Sequence, residues 1–104
     1  MSRTTIPNDL LELLDDAALD ADALARGCGM SIEWVRLRVA AETLRPLRGE
    51  SVNEWRFAGA TLHRARRLAE VENIYDADPQ LAALAADLME EIDRLRRALA
   101  QQRR

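Results

Sequence analysis

Lysine is absent: all 15 basic residues of this 104-residue chain are arginine. Cysteine is nearly absent too. Cys28 stands alone, which excludes a disulfide framework and every zinc-finger spacing and fits a reducing compartment. Aromatic residues make up 4% of the chain and β-branched residues are few, so a large sheet has little to build on. Three prolines and four glycines offer few interruptions to a helix. No apolar run approaches the ~20 residues of a membrane span, and no signal peptide precedes the first polar stretch. A soluble, cytoplasmic protein with no membrane association is therefore expected. What is present is 18 alanines and 16 leucines, the strongest helix formers, within a 48% hydrophobic share. The composition predicts an all-α fold, and the length allows one small domain.

Residues 1–18 read as an N-terminal helical extension, with Leu10, Leu13, Leu14 and Ala17 at helical spacing. Residues 19–78 divide into shorter elements. Asp20 is placed to cap a short helix through Ala21, Leu24 and Ala25, which Gly27-Cys28-Gly29 stops. Ser31 is placed to cap a second helix that carries Val35, Leu37, Val39 and Leu44 and ends before Pro46. Two short helices joined by a Gly-containing turn form the signature of a helix-turn-helix. A loop over 47–54 follows, and Trp55-Arg56-Phe57 then alternates as a short extended wing with both rings on one face. A third helix is expected from Ala60 to Ile74, broken by Asp76-Ala77-Asp78-Pro79.

Residues 79–104 read as one long amphipathic helix. Leu81, Leu84, Leu88, Ile92, Leu95 and Leu99 step by 3, 4, 4, 3 and 4, and an eleven-residue period keeps such a seam almost straight. The helix is longer than a small domain can cover, so the seam, with Leu84, Leu88, Ile92, Leu95 and Leu99 at its centre, is expected to form a homodimer interface.

Charge runs in blocks. Residues 1–25 carry −5, residues 26–68 carry +5, residues 69–93 carry −8 and residues 94–104 carry +5. Such alternation suits either a charged interaction surface in mid-chain or solvated helix faces that cancel one another. No Ser, Cys or His constellation, phosphate loop or metal spacing is present, so neither catalysis nor a cofactor nor a metal is expected. His63 reads as a surface imidazole and Cys28 as a small hydrophobe. Trp34, with Arg36 and Leu37 beside it, has the composition of an interface hot spot.

The order helix, tight turn, helix, wing, helix and long helix is similar to that of MerR-type winged helix-turn-helix proteins. Within that group the chain resembles the chaperone-modulator (CbpM) family. The likeness rests on Leu24-Ala25-Arg26, Gly29-Met30-Ser31, Glu33-Trp34-Val35, Leu44-Arg45-Pro46 and Glu54-Trp55-Arg56-Phe57. It continues through Leu62-His63-Arg64-Ala65-Arg66-Arg67-Leu68 and Asp87-Leu88-Met89-Glu90-Glu91-Ile92. The chain departs from the family at Ala40-Ala41-Glu42-Thr43, where a Gly usually precedes the position of Leu44, and after Leu68, where basic residues are usual. The resemblance implies a protein that binds the J-domain of a DnaJ-like co-chaperone and inhibits its stimulation of Hsp70. Trp34, Arg36, Leu37, Arg38 and Arg56 are the expected partner-binding residues.

A MerR-type DNA-binding transcription regulator is the alternative. Arg36 and Arg38 lie on the would-be recognition helix of such a protein. Against it stand Glu33 and Glu42, the net charge of −3 and the absence of lysine for phosphate contacts. MerR-type regulators usually carry Tyr after the Arg corresponding to Arg36, and an Arg in the wing. Leu37 and Trp55 stand there instead. DNA binding is therefore expected to be weak or absent.

Overall fold

The computed structural model describes residues 19–103. The expected N-terminal helix over residues 1–18 lies outside the described residues. Among the described residues four helices account for the regular structure: α1 (Ala21–Cys28), α2 (Ile32–Ala40), α3 (Gly59–Tyr75) and α4 (Pro79–Gln102). The all-helical class expected from the Ala- and Leu-rich composition is what the described residues adopt.

Local chemistry sets most helix ends. Asp20 caps α1 by accepting from the Ala23 amide at 2.8 Å, and Gly29 closes that helix in the left-handed region at φ 75°. Ser31 caps α2 through the Trp34 amide at 3.0 Å, so only Gly29, Met30 and Ser31 separate the two helices. Asp78 caps α4 through the Leu81 amide, with Pro79 in the first turn where its missing N–H costs nothing.

One end differs from expectation. Helix α2 stops at Ala40 instead of running to Pro46, because Glu42 turns the chain at φ 61°. The amides of Thr43 and Leu44 then both donate back to the Arg38 carbonyl, and Leu44 is buried from a loop. A non-Gly residue in the left-handed region costs roughly 1–2 kcal/mol. Glu42 lies within the stretch where the resembled family usually has glycine.

The wing is smaller than a strand. Phe57 bridges Leu19 on one side and Arg56 bridges Arg48 on the other, each an isolated antiparallel bridge. The Trp55 amide donates to the Ser51 carbonyl of the preceding turn, which keeps it out of any longer ladder. The two rings do meet on one side, edge to face, with centroids 6.1 Å apart. Phe57 is fully buried and Trp55 half-buried. Gly49 makes the return possible: at φ 102° a β-carbon there would lie 2.4 Å from the Glu54 carbonyl oxygen.

The chain divides into two compact units, with the boundary between Arg66 and Arg67 inside α3. In the first unit, Leu24, Val35, Leu44 and Phe57 are fully buried. Gly27 admits the Leu62 side chain so closely that a β-carbon would lie 2.7 Å from it. Arg66 donates to the Gly27 carbonyl at 2.9 Å, and Arg64 to the Thr43 carbonyl at 2.8 Å. In the second unit, Leu68, Ala69, Val71, Ala82 and Ala86 are buried, and Arg67 joins α3 to α4 through Asp93 at 2.6 Å. The hydrogen bond from Arg67 holds the Asp93 carboxyl below its ordinary range. Its folded pKa is therefore below the unfolded one, so the contact stabilises above the ordinary carboxylate range and is lost as pH falls through the folded value.

Two stability outcomes follow from this packing. Phe57→Ala should cost about 3–5 kcal/mol, Trp55→Ala less, and Arg56→Ala within about 0.5 kcal/mol; chemical denaturation of the three variants checks that order. Glu42→Gly should raise stability by about 0.5–1 kcal/mol, the left-handed strain relieved less the entropy of a new glycine. An unchanged or lower denaturation midpoint would contradict it.

Candidate functional site

Helix α2 presents two faces because residues four apart lie one above the other. Trp34, Val35 and Arg38 turn inward, while Ile32, Glu33, Arg36, Leu37 and Ala40 face solvent. Trp34 and Arg38 are each only 7% exposed, and the Arg38 guanidinium carbon sits 4.8 Å from the centre of the Trp34 ring. The Trp34 ring is buried in the fold. The pair is a cation–π stack within the fold, and neither side chain is available as an exposed contact. The reason is helical phase: one turn places Trp34 and Arg38 on the same side as Val35.

Leu37 and Arg36 lie on the solvent face. Leu37 is 53% exposed, and Arg36 reaches back to Glu33 at 2.5 Å on the same open face. Ile32, also exposed, extends the apolar part of that face. Its signal in the sequence was its place directly after the Ser31 cap, out of phase with Trp34. Arg56 is half-buried, and its guanidinium donates to the Trp55 carbonyl at 2.7 Å. Leu47, beside it in the wing, is exposed and was not singled out by its sequence.

The arginine-rich block is largely engaged within the chain. Arg26 pairs with Asp22, Arg36 with Glu33 and Arg45 with Glu42. Arg56, Arg64 and Arg66 donate to backbone carbonyls, and Arg38 lies on a ring. A guanidinium carries five donors in a planar fork, so it can hold a carbonyl where a lysine ammonium would supply a point charge. The open face of α2 carries a compensated Glu33–Arg36 pair between two aliphatic side chains, and it carries no free row of cations.

A second surface lies on α4. At 3.6 residues per turn, Ala82, Ala86, Met89 and Asp93 share one face, and this is the face that is buried or half-buried. The seam of Leu81, Leu84, Leu88, Ile92, Leu95 and Leu99 is a different face, roughly 120° around the helix. All six side chains are between 46% and 60% exposed. Small residues make the contact within the chain, and the large ones are left in solvent. Beside the seam, the Arg94 hydrogen bond holds the Glu91 carboxyl below its ordinary range.

His63 is exposed, and the half-buried Cys28 thiol donates to the Ala25 carbonyl at 3.6 Å. Among the described residues no group of three or more His, Cys, Asp or Glu side chains could hold a metal, and no helix is long and apolar enough to cross a membrane.

The two faces of α2 should separate in mutation. Trp34→Ala should lower stability by about 3 kcal/mol or more, while Leu37→Ala should stay within about 0.5 kcal/mol. Thermal melting of both variants checks this, and equal melting temperatures would return Trp34 to the surface.

Comparison with family models, with curated proteins and with solved structures finds no match for this chain.

Proposed function

We propose that the chain is a chaperone modulator: a MerR-like winged helix-turn-helix adapted to bind the J-domain of a DnaJ-like co-chaperone and to inhibit its stimulation of Hsp70. The observation that carries this reading is the outer face of α2. A DNA-recognition helix needs uncompensated donors aimed at base edges and phosphates. Here Arg38 lies beneath the surface on Trp34, Arg36 is engaged by Glu33, and the exposed side chains that flank that pair are Ile32 and Leu37. An aliphatic pair around a charge-neutral centre suits a protein partner, with the apolar side chains supplying affinity and the pair supplying register. The identity of that partner rests on the family resemblance. The acidic stretch over 69–93 offers a field complementary to a basic helix of a J-domain.

The working form in this reading is a homodimer joined through Leu84, Leu88, Ile92, Leu95 and Leu99 of α4. Its support is the open seam itself: six large aliphatic side chains in one row are a costly surface for a monomer to expose.

The test is titration of the protein with an isolated J-domain, read by calorimetry. Binding is expected, with loss of J-stimulated Hsp70 ATPase activity, and it should weaken as salt rises toward 1 M. Leu37→Asp should weaken the complex by about 2 kcal/mol or more while leaving the fold intact. Nanomolar recognition of one DNA sequence at about 0.15 M salt, without J-domain binding, would make the chain a transcription regulator instead.

A further inference from the structure

We propose that the exposed end of α3, built on Ile74 and Tyr75, is a docking site for an arginine-bearing segment of another protein. It is a second contact site beside the outer face of α2 and does not depend on the function proposed for that face.

Three observations converge on this end. The first is an apolar face that outruns its cover. On α3, Leu68 and Val71 are buried. Tyr75 stands seven residues after Leu68, within about 20° of it around the helix, and Ile74 stands three after Val71, about 60° off it. Yet Ile74 is 63% exposed and Tyr75 73%, the highest values for large apolar side chains among the described residues.

The second observation is charge. Between Arg67 and Arg94 the chain carries eight acids and no base. Within four residues of the apolar pair, Glu70, Asp76 and Asp78 are all exposed. A field of this sign attracts a cationic partner and repels another acidic surface.

The third is the helix end itself. The last carbonyls of a helix lack intrahelical donors and form its negative pole, which suits a cation. Elsewhere in this chain arginine meets that need. Arg26 and Arg38 stand in the last turns of α1 and α2, Arg103 follows α4 as its cap, and Arg66 donates to the Gly27 carbonyl. The last turn of α3 carries no base, and Asp76 follows it. An arginine from outside supplies the missing charge in a form that fits. Its guanidinium can stack on the Tyr75 ring, as Arg38 does on Trp34, while its stem covers Ile74 and its fork reaches the acids. A lysine would bring the charge without the planar fork.

Fluorescence polarisation of a short labelled peptide of alternating arginine and leucine, titrated with the protein, tests the site. The peptide should bind, and its lysine counterpart should bind at least roughly threefold more weakly. Ile74→Ser with Tyr75→Ser should weaken binding at least roughly tenfold without moving the melting temperature, because both side chains are exposed. Tyr75→Leu, which keeps the apolar area, should erase the preference for arginine over lysine. Asp76→Asn should weaken binding more than Asp87→Asn, an equal loss of charge elsewhere in the acidic stretch. Equal binding of the two peptides, or wild-type binding by the double variant, would reduce the attraction to net charge and overturn the proposal. A double variant that sediments differently from the wild type would also overturn it, by making this end a contact between copies. No J-domain is present in these titrations, and Leu37→Asp should bind the peptide as the wild type does. Loss of the peptide from Leu37→Asp would place it on α2 and overturn the site on α3, whereas a failure of J-domain binding leaves that site untouched.

Discussion

A helix leaves its last carbonyls without partners, and the first unit is organised around arginines that supply them. Arg66 donates to the Gly27 carbonyl at the end of α1, and Arg64 to the Thr43 carbonyl just beyond α2. Both arginines stand in the first half of α3, so these contacts fix that stretch against the ends of the two preceding helices. The absence of a side chain at Gly27 lets Leu62 approach in the same place. The basic block of the sequence is thus in good part a set of structural clamps. A lysine ammonium would supply only a point charge at these carbonyls.

Alanine and leucine divide their labour on α4. Ala82 and Ala86 make the contact inside the chain, where a short side chain allows close approach, and the long aliphatic residues stand on another face. A helix built this way has a second apolar surface by design of its sequence, and covering it removes a large unfavourable hydration term. The two ends of the same helix differ in sign, acidic up to Asp93 and basic from Arg94.

The phase of α2 decides which of its side chains meet solvent. One hundred degrees per residue places Trp34 and Arg38 on the core side and Leu37 with Arg36 on the outside. The most conspicuous aromatic residue of the sequence therefore stabilises the fold, and the solvent face of α2 is made by Ile32 and Leu37 around the Glu33–Arg36 pair. A guanidinium stacked on an indole is spent on the fold. The same logic weakens the DNA reading, since the arginines that would read bases are already satisfied.

Much of the architecture was written locally. Asp20, Ser31 and Asp78 cap the helices that follow them, Gly29 ends α1, and the leucine spacing of α4 sets its seam, because each depends on a few residues along the chain. Three features were not local. The stop of α2 at Ala40 is made by Glu42 in a conformation that propensity disfavours, with Leu44 carried from the helix into a loop where it is buried. The wing is reduced to two bridges because Trp55 is held by the turn before it. Burial of Trp34 with Arg38, and exposure of Leu37, required the neighbours of α2 to be in place: a helix has a phase from its sequence, but which side of it becomes the inside is decided only by what packs there.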